Sequence, residues 1–398
     1  MRRILFALVL LASAPGARAQ DAISAMIAAQ GLTATEATLA ALLSRSPTEN
    51  FALGGVRFLG AVEAALQARW RMGLSGRTID LPVLRLEVAA NPAPEPFDPH
   101  VIEEIFSGVL TAMAEAEAPL SEIGEADEVA LRLNLADLWF DVNMNGARDP
   151  GEGVVELSAG TILPRRFRAA ESTAPTVRFD TSDAAWLQAY THLLSAVADM
   201  VLAFPPADAI ERVMSASSDI KALAGDAPPV NALDYQFSTE VDLAAMIYLA
   251  LKQQPDGNHT RSAREHLLRM IQLNRVFWDR VEAETDNDAE WIPNARQQSA
   301  LGLPLPPETA KTWQAVLSDA EDLLEGRKLI PFWRFSSAAG INLKRLLEDP
   351  ARVDVIEWIH GMGALPYGEK GERLSSFNWR EFTFLMRGDS MLFVLFLN

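Results

Sequence analysis

Between Thr181 and Phe204 the residues Trp186, Tyr190, Leu193, Leu194, Val197, Val201 and Phe204 recur at helical spacing. They fall within roughly 100° of arc on a helical wheel. A stripe that broad and that apolar must be covered by other elements, so the chain has to build a packed helical core around it. The same period recurs elsewhere. Thr33–Glu36 and Ser46–Glu49 read as capping boxes, the second with Pro47 at the first helical position. The helix opened by Ser46 places Phe51, Gly55, Phe58, Leu59, Val62 and Leu66 on one face, and Gly73 is a plausible stop. Gly54, Gly55 and Gly60 inside it predict close approach by a neighbouring backbone.

Further helices are expected over about 100–118, 239–252, 260–284, 307–325 and 351–360, with proline-rich breaks at 228–229 and 304–307. Val129, Leu131, Leu133 and Leu135 alternate and predict a strand over 128–135. Phe382, Phe384 and Met386, a turn at 387–390 and the apolar run 391–397 predict a terminal hairpin. The expected class is mainly α with a small β component. Its regions are 1–19, 20–90, a stiff connector over 91–99 carrying four prolines, 100–225 and 226–398, possible parts of one integrated unit.

Arg2 and Arg3, the apolar run 4–14 and Ala17-Arg18-Ala19 read as a signal peptide ending at residue 19. The chain has no cysteine, which excludes disulfides, thiolate metal sites and cysteine nucleophiles. Together these predict a periplasmic or extracellular protein with no integral membrane segment after cleavage. With 53 acidic and 35 basic side chains the net charge is -18, and losing Arg2, Arg3 and Arg18 makes it -21. Such a surface excludes nucleic acid as a partner. A protein or glycan partner is left open.

Residues 141–152, Asp-Val-Asn-Met-Asn-Gly-Ala-Arg-Asp-Pro-Gly-Glu, fit the spacing D-x-[DN]-x-[DN]-G-x5-E. A calcium ion takes six to eight hard oxygen ligands, and a tight loop supplies them from alternate residues. Asp141, Asn143, Asn145 and Asp149 would offer side-chain oxygens, Ala147 its carbonyl, and Glu152 two carboxylate oxygens, with the bend at Gly146. The segment resembles the calcium loop of EF-hand proteins. It departs from them at Arg148, where an apolar residue is usual, and in its flanks, which read as a strand before and a poor helix after. The resemblance implies a lone structural Ca²⁺ rather than a paired sensor. The competing reading is an Asn/Gly/Asp-rich turn without metal. The blocks 291–294, 330–334 and 340–344, with Trp139-Phe140-Asp141 and the 186–204 helix, resemble a class of exported bacterial proteins of no assigned activity.

No zinc-hydrolase histidine pair, phosphate loop, dinucleotide fingerprint or serine elbow is present. His192 and Asp199 fall on the polar side of their helix and are expected on the surface. His360 is expected at a helix end. The nine tryptophans could line a sugar groove, though core packing accounts for most of them. The function expected is that of an exported, calcium-braced binding or envelope protein. The alternative is a calcium-stabilised hydrolase of cell-wall or polysaccharide material, with catalytic residues unassigned.

Overall fold

The computed structural model describes residues 15–75, 84, 86–158, 174–225, 232–302 and 305–385. Twelve α-helices and two small two-stranded sheets make up the described residues, a mainly α fold with a small β component.

Helix α1 (Pro15–Ala40) is broken at Gly31, whose φ of 76° no helix accommodates. The Thr33 box is not the device that restarts it: the Thr33 hydroxyl bonds Glu63, and Thr35 bonds the Gly31 carbonyl. Helix α2 (Pro47–Arg71) starts on the Ser46–Glu49 capping box as expected, and Gly73 follows its end with a φ of 69°. The 91–99 connector is tied to that end. Asn91 donates to the Trp70 carbonyl, and the Glu95 amide donates to that of Arg71.

Helix α3 (Val101–Ser121) packs against α2. Strand β1 (Ala130–Asn134) pairs antiparallel with β2 (Thr176–Asp180), Leu131 opposite Phe179 and Leu133 opposite Val177. The expected alternation is observed, with Val129, Leu131, Leu133 and Leu135 all buried. A five-residue helix, α4 (Val154–Ser158), lies between the strands.

Helix α5 (Thr181–Leu202) is enclosed by α3 on one side and α8 (Gly257–Ala283) on another. Its polar side is therefore interior, and His192, Ser195 and Asp199 are buried beside Trp186, Leu187 and Leu194. Helices α6 (Ala207–Ala224) and α7 (Ala232–Leu251) pack on each other as a hairpin. Helix α9 (Thr309–Leu324) packs on α8, followed by α10 (Leu343–Glu348) and α11 (Val355–His360). His360 does end α11, next to Gly361 in the left-handed region. Strands β3 (Ala339–Ile341) and β4 (Gly368–Lys370) pair locally.

The expected terminal hairpin is not formed where it is described. Phe382 and Phe384 lie in α12 (Phe377–Leu385), whose Phe382 is buried against Trp313. A helix lets Phe382 and Trp379 converge on α9, which alternation would not. The turn and apolar run at 387–397 lie outside the described residues.

The main core joins side chains from α1, α2, β1, β2, α5, α8 and α9, so the expected regions share one interior. Helix α2 is long and apolar enough to cross a bilayer, but its apolar side is spent on this core. The core is not solid. Between α1, α2, α5 and the β1–β2 pair lies a cavity of about 260 Å³ with almost wholly apolar walls.

Of the three α2 glycines singled out, Gly54 alone meets a close neighbour. A Cβ there would lie 2.5 Å from Leu120 Cγ and 3.0 Å from the Ala116 carbonyl oxygen, whereas at Gly60 nothing lies within 4 Å. Gly54→Ala should therefore destabilise the protein by about 1–3 kcal/mol through overpacking. Gly60→Ala should stabilise it by about 0.5–1 kcal/mol through helix propensity. Urea denaturation of the two variants checks the pair of opposite signs.

Candidate functional site

The 141–152 loop leaves the β1 side through buried Trp139 and Phe140 and returns at Gly153, which bridges Trp139. The Phe140 amide donates to the Glu152 carbonyl and the Val154 amide to that of Leu138, closing the loop at its neck. Met144, Gly146 and Gly151 take positive φ values of 59°, 77° and 90°. Gly146 thus makes the expected bend, and Met144 accepts a conformation that costs a side-chain-bearing residue free energy.

All the expected ligand residues lie on this one turn. Asp141 accepts from the amides of Asn145 (3.0 Å) and Gly146 (2.9 Å). Glu152, only 5% exposed, accepts from the amides of Val142 (2.9 Å) and Asp149 (2.8 Å). Asp149 Oδ2 accepts from the side-chain amides of Asn143 (2.6 Å) and Asn145 (2.8 Å). Ala147 donates its amide to Asn145 Oδ1. The three carboxylates do not share one centre at ligand-to-ligand range, and both asparagine amides donate to Asp149. The donor set fits a hard cation, all oxygen. A half-turn of both asparagine amides would present Oδ1 where Nδ2 now stands.

Two residues under the loop were not evident from sequence. Glu63 of α2 is buried and accepts the Asp141 amide at 2.8 Å; Gln67, one turn on, donates to the Asp141 carbonyl. Burial raises the Glu63 pKa, and the charges of Asp141 and Glu152 raise it further, against the bond from the Asp141 amide. Arg148 turns away and donates to the Ala136 carbonyl.

A second acidic group lies at the start of α5. Asp180, Glu284 and Glu290 bring one oxygen each within 4.8 Å of one another, the one such trio of Asp, Glu or His among the described residues. Asp180 caps α5 in a box with Asp183, Glu284 follows α8, and Glu290 sits in the loop beyond. Burial pushes Glu284 up to about 7, opposed by hydrogen bonds from Ser182 and Gln297. Burial also raises Glu290, and it drives Asp183 well above the carboxylate range with help from the Asp180 charge. The trio lines neither this apolar cavity nor the polar cleft between α2 and α3.

A third polar system runs through the interface of α3, α5 and α8, and it corrects the surface placement of His192 and Asp199. His192 Nε2 is 3.0 Å from Glu117 Oε1, and its Nδ1 is 2.7 Å from His266 Nδ1. His266 Nε2 lies 3.9 Å from Asp199 Oδ2, and Asp199 Oδ1 is 2.7 Å from His259 Nδ1. Five ionisable groups thus form one chain, with His266 bridging the His192–Asp199 pair that two turns of α5 keep apart. Asp199 is 2% exposed, and its Oδ2 has no hydrogen-bond partner. The helical wheel of α5 alone hides this. The matched seven-residue spacings, 192/199 on α5 and 259/266 on α8, were the available signal.

Such a chain can pass or share a proton, and it sets an acid limit. Burial and then the neighbouring His192 hold the His266 pKa below its ordinary 6.5. The hydrogen bond from His192 holds Glu117 below its ordinary 4.5. Both folded-state values are depressed, so both contributions are present above the unfolded values and are lost as pH falls, His266 first, below about 6.5, and Glu117 next. The His266 and Glu117 contributions to unfolding free energy should therefore decline from pH 6.5 downward, opposed over the same range by the raised carboxylates Glu284, Glu290 and Glu63. His266→Gln should flatten that first limb by up to about 1.4 kcal/mol per pH unit. Urea titrations at stepped pH values check it.

Comparison with known protein families, with curated proteins and with solved structures finds no match to this chain.

Proposed function

We propose that the chain is an exported, acidic, helical protein of periplasmic or extracellular location. One structural Ca²⁺ braces its 141–152 loop, and its role is binding or envelope-associated. The observation that carries the cation is the charge balance of the loop. Asp141, Asp149 and Glu152 crowd a single turn above buried Glu63, and among the described residues no lysine or arginine forms an ion pair with any of the four. Backbone amides and two asparagine side chains are their partners. A divalent cation would supply the missing positive charge. The pattern of the loop and its all-oxygen donor set favour Ca²⁺ over softer metals. An exported chain without disulfides would gain from that brace, and millimolar Ca²⁺ is the range such loops use.

Chelator should lower the melting temperature and millimolar Ca²⁺ restore it. At ten times the dissociation constant the ion contributes about 1.4 kcal/mol. Asp141→Ala combined with Glu152→Ala should abolish the response, while Glu284→Gln with Glu290→Gln should leave it intact. The reverse pattern, or a melting curve indifferent to Ca²⁺ in the unaltered protein, overturns the loop assignment.

A further inference from the structure

The cavity behind the loop has chemistry of its own. Six aromatic rings follow one another around it: Phe58 to Tyr190 at 5.4 Å between centroids, Tyr190 to Trp186 at 5.5 Å, Trp186 to Trp291 at 5.6 Å, Trp291 to Phe179 at 5.7 Å, and Phe179 to Phe51 at 5.4 Å. Aliphatic side chains from α1, β1 and the neck of the loop complete the walls, and none of the described lining residues is charged. The one lining hydroxyl on an aliphatic carbon, that of Ser158, is turned to the Val154 carbonyl. Water needs two to four polar partners to be held inside a protein, and this space does not provide them. An enclosed apolar cavity of about 150 Å³ takes up benzene, and this partly open space of about 260 Å³ has room for something larger.

We propose that this cavity is a binding site for a neutral apolar molecule with the bulk of a fused bicyclic ring or a medium-length alkyl chain. The aromatic arc supplies flat faces for dispersion contact, and the lack of charge on the walls selects against an ionised ligand. Rigid elements form the walls, so the site is preformed. Leu138, Phe140, Val154 and Leu157 flank the 141–152 loop and line the cavity, yet the site itself needs no ion.

The test uses the full chain and N-phenyl-1-naphthylamine, a neutral fluorescent probe, in millimolar Ca²⁺ and again in chelator, so that this site and the cation loop fail separately. Expected are saturable binding of one probe per chain, energy transfer from the lining tryptophans, and displacement by a neutral medium-chain alcohol at least tenfold better than by the matching carboxylate. A Cβ at Gly55 would meet only Leu187 Cδ2, at 3.9 Å, so Gly55→Leu can project into the space. It should weaken the probe at least tenfold while holding or raising the ligand-free melting temperature, as filling a void does. Ala52→Val, from the same wall, gives a second, smaller plug should the first fail to fold. Unsaturable binding, preference for the carboxylate, or unchanged probe affinity in a folded plugged variant overturns the proposal.

Discussion

The enclosure of α5 is the constraint from which the other features follow. A helix covered by α3 and α8 over most of its surface has little solvent side, so the polar groups it buries must find partners within the protein. His192 and Asp199 find theirs on α3 and α8, and the partners are themselves ionisable. The first turn of α5 is buried as well. Its capping pair Asp180–Asp183 is therefore forced against Glu284 and Glu290, and burial with the like charges raises the pKa of Asp183 and Glu284, while Arg178 lies 3.9 Å from Asp180. The apolar side of the same helix supplies Trp186 and Tyr190 to the cavity wall. One helix thus sets the position of two polar systems and one apolar space.

The 141–152 loop belongs to this arrangement through its neck. Trp139 donates its indole N–H to the Ile27 carbonyl and stands against Gly31, where a Cβ would lie 3.1 Å from the ring. The loop therefore fixes the break in α1, and through Glu63 and Gln67 it also grips α2. The loop thus contacts α1 and α2, two of the elements that wall the cavity, although it is exposed at its tip.

Much of this was legible in the sequence, at the level of elements. Of the α2 face expected from sequence, Phe51, Gly55, Phe58, Leu59 and Val62 line the cavity, joined by Ala52 and Val56 but not by Leu66, because helical periodicity reports which residues look inward. It does not report whether the inward space is filled, since that depends on the volumes contributed by other elements. The capping boxes at Ser46 and Asp180 are local bonds, and the one at Ser46 was readable for that reason. The Thr33 box was misread because Glu63, thirty residues away in sequence, competes for the same hydroxyl. The five-membered chain from Glu117 to His259 was missed for a related reason. Wheel arguments assume that a polar face meets water, and α5 is too deeply packed for that. Phe382 and Phe384 show the limit of short alternations, which a helix of nine residues satisfies equally well.

The three polar systems differ in how they balance charge, and the difference bears on each as a place for an added cation. The histidine chain interleaves two carboxylates with three imidazoles, two of them in direct contact, so its negative charges face groups that can take up a proton. The trio at the head of α5 has Arg178 close by, 3.9 Å from Asp180, and it keeps Glu284 protonated up to about neutral pH. A cation arriving there would have to displace that proton. In the loop the three carboxylates form no ion pair with a described lysine or arginine, and burial raises the pKa of Glu63 beneath them. Arg148, the one cation within its span, bonds the backbone of Ala136, and the remaining donors are neutral amides. Among the described residues the three loop carboxylates thus face only dipoles, beside a buried fourth. On the proposed reading, an ion entering the loop would displace amide dipoles rather than a formal charge, which is the difference in kind between the loop and the tighter trio.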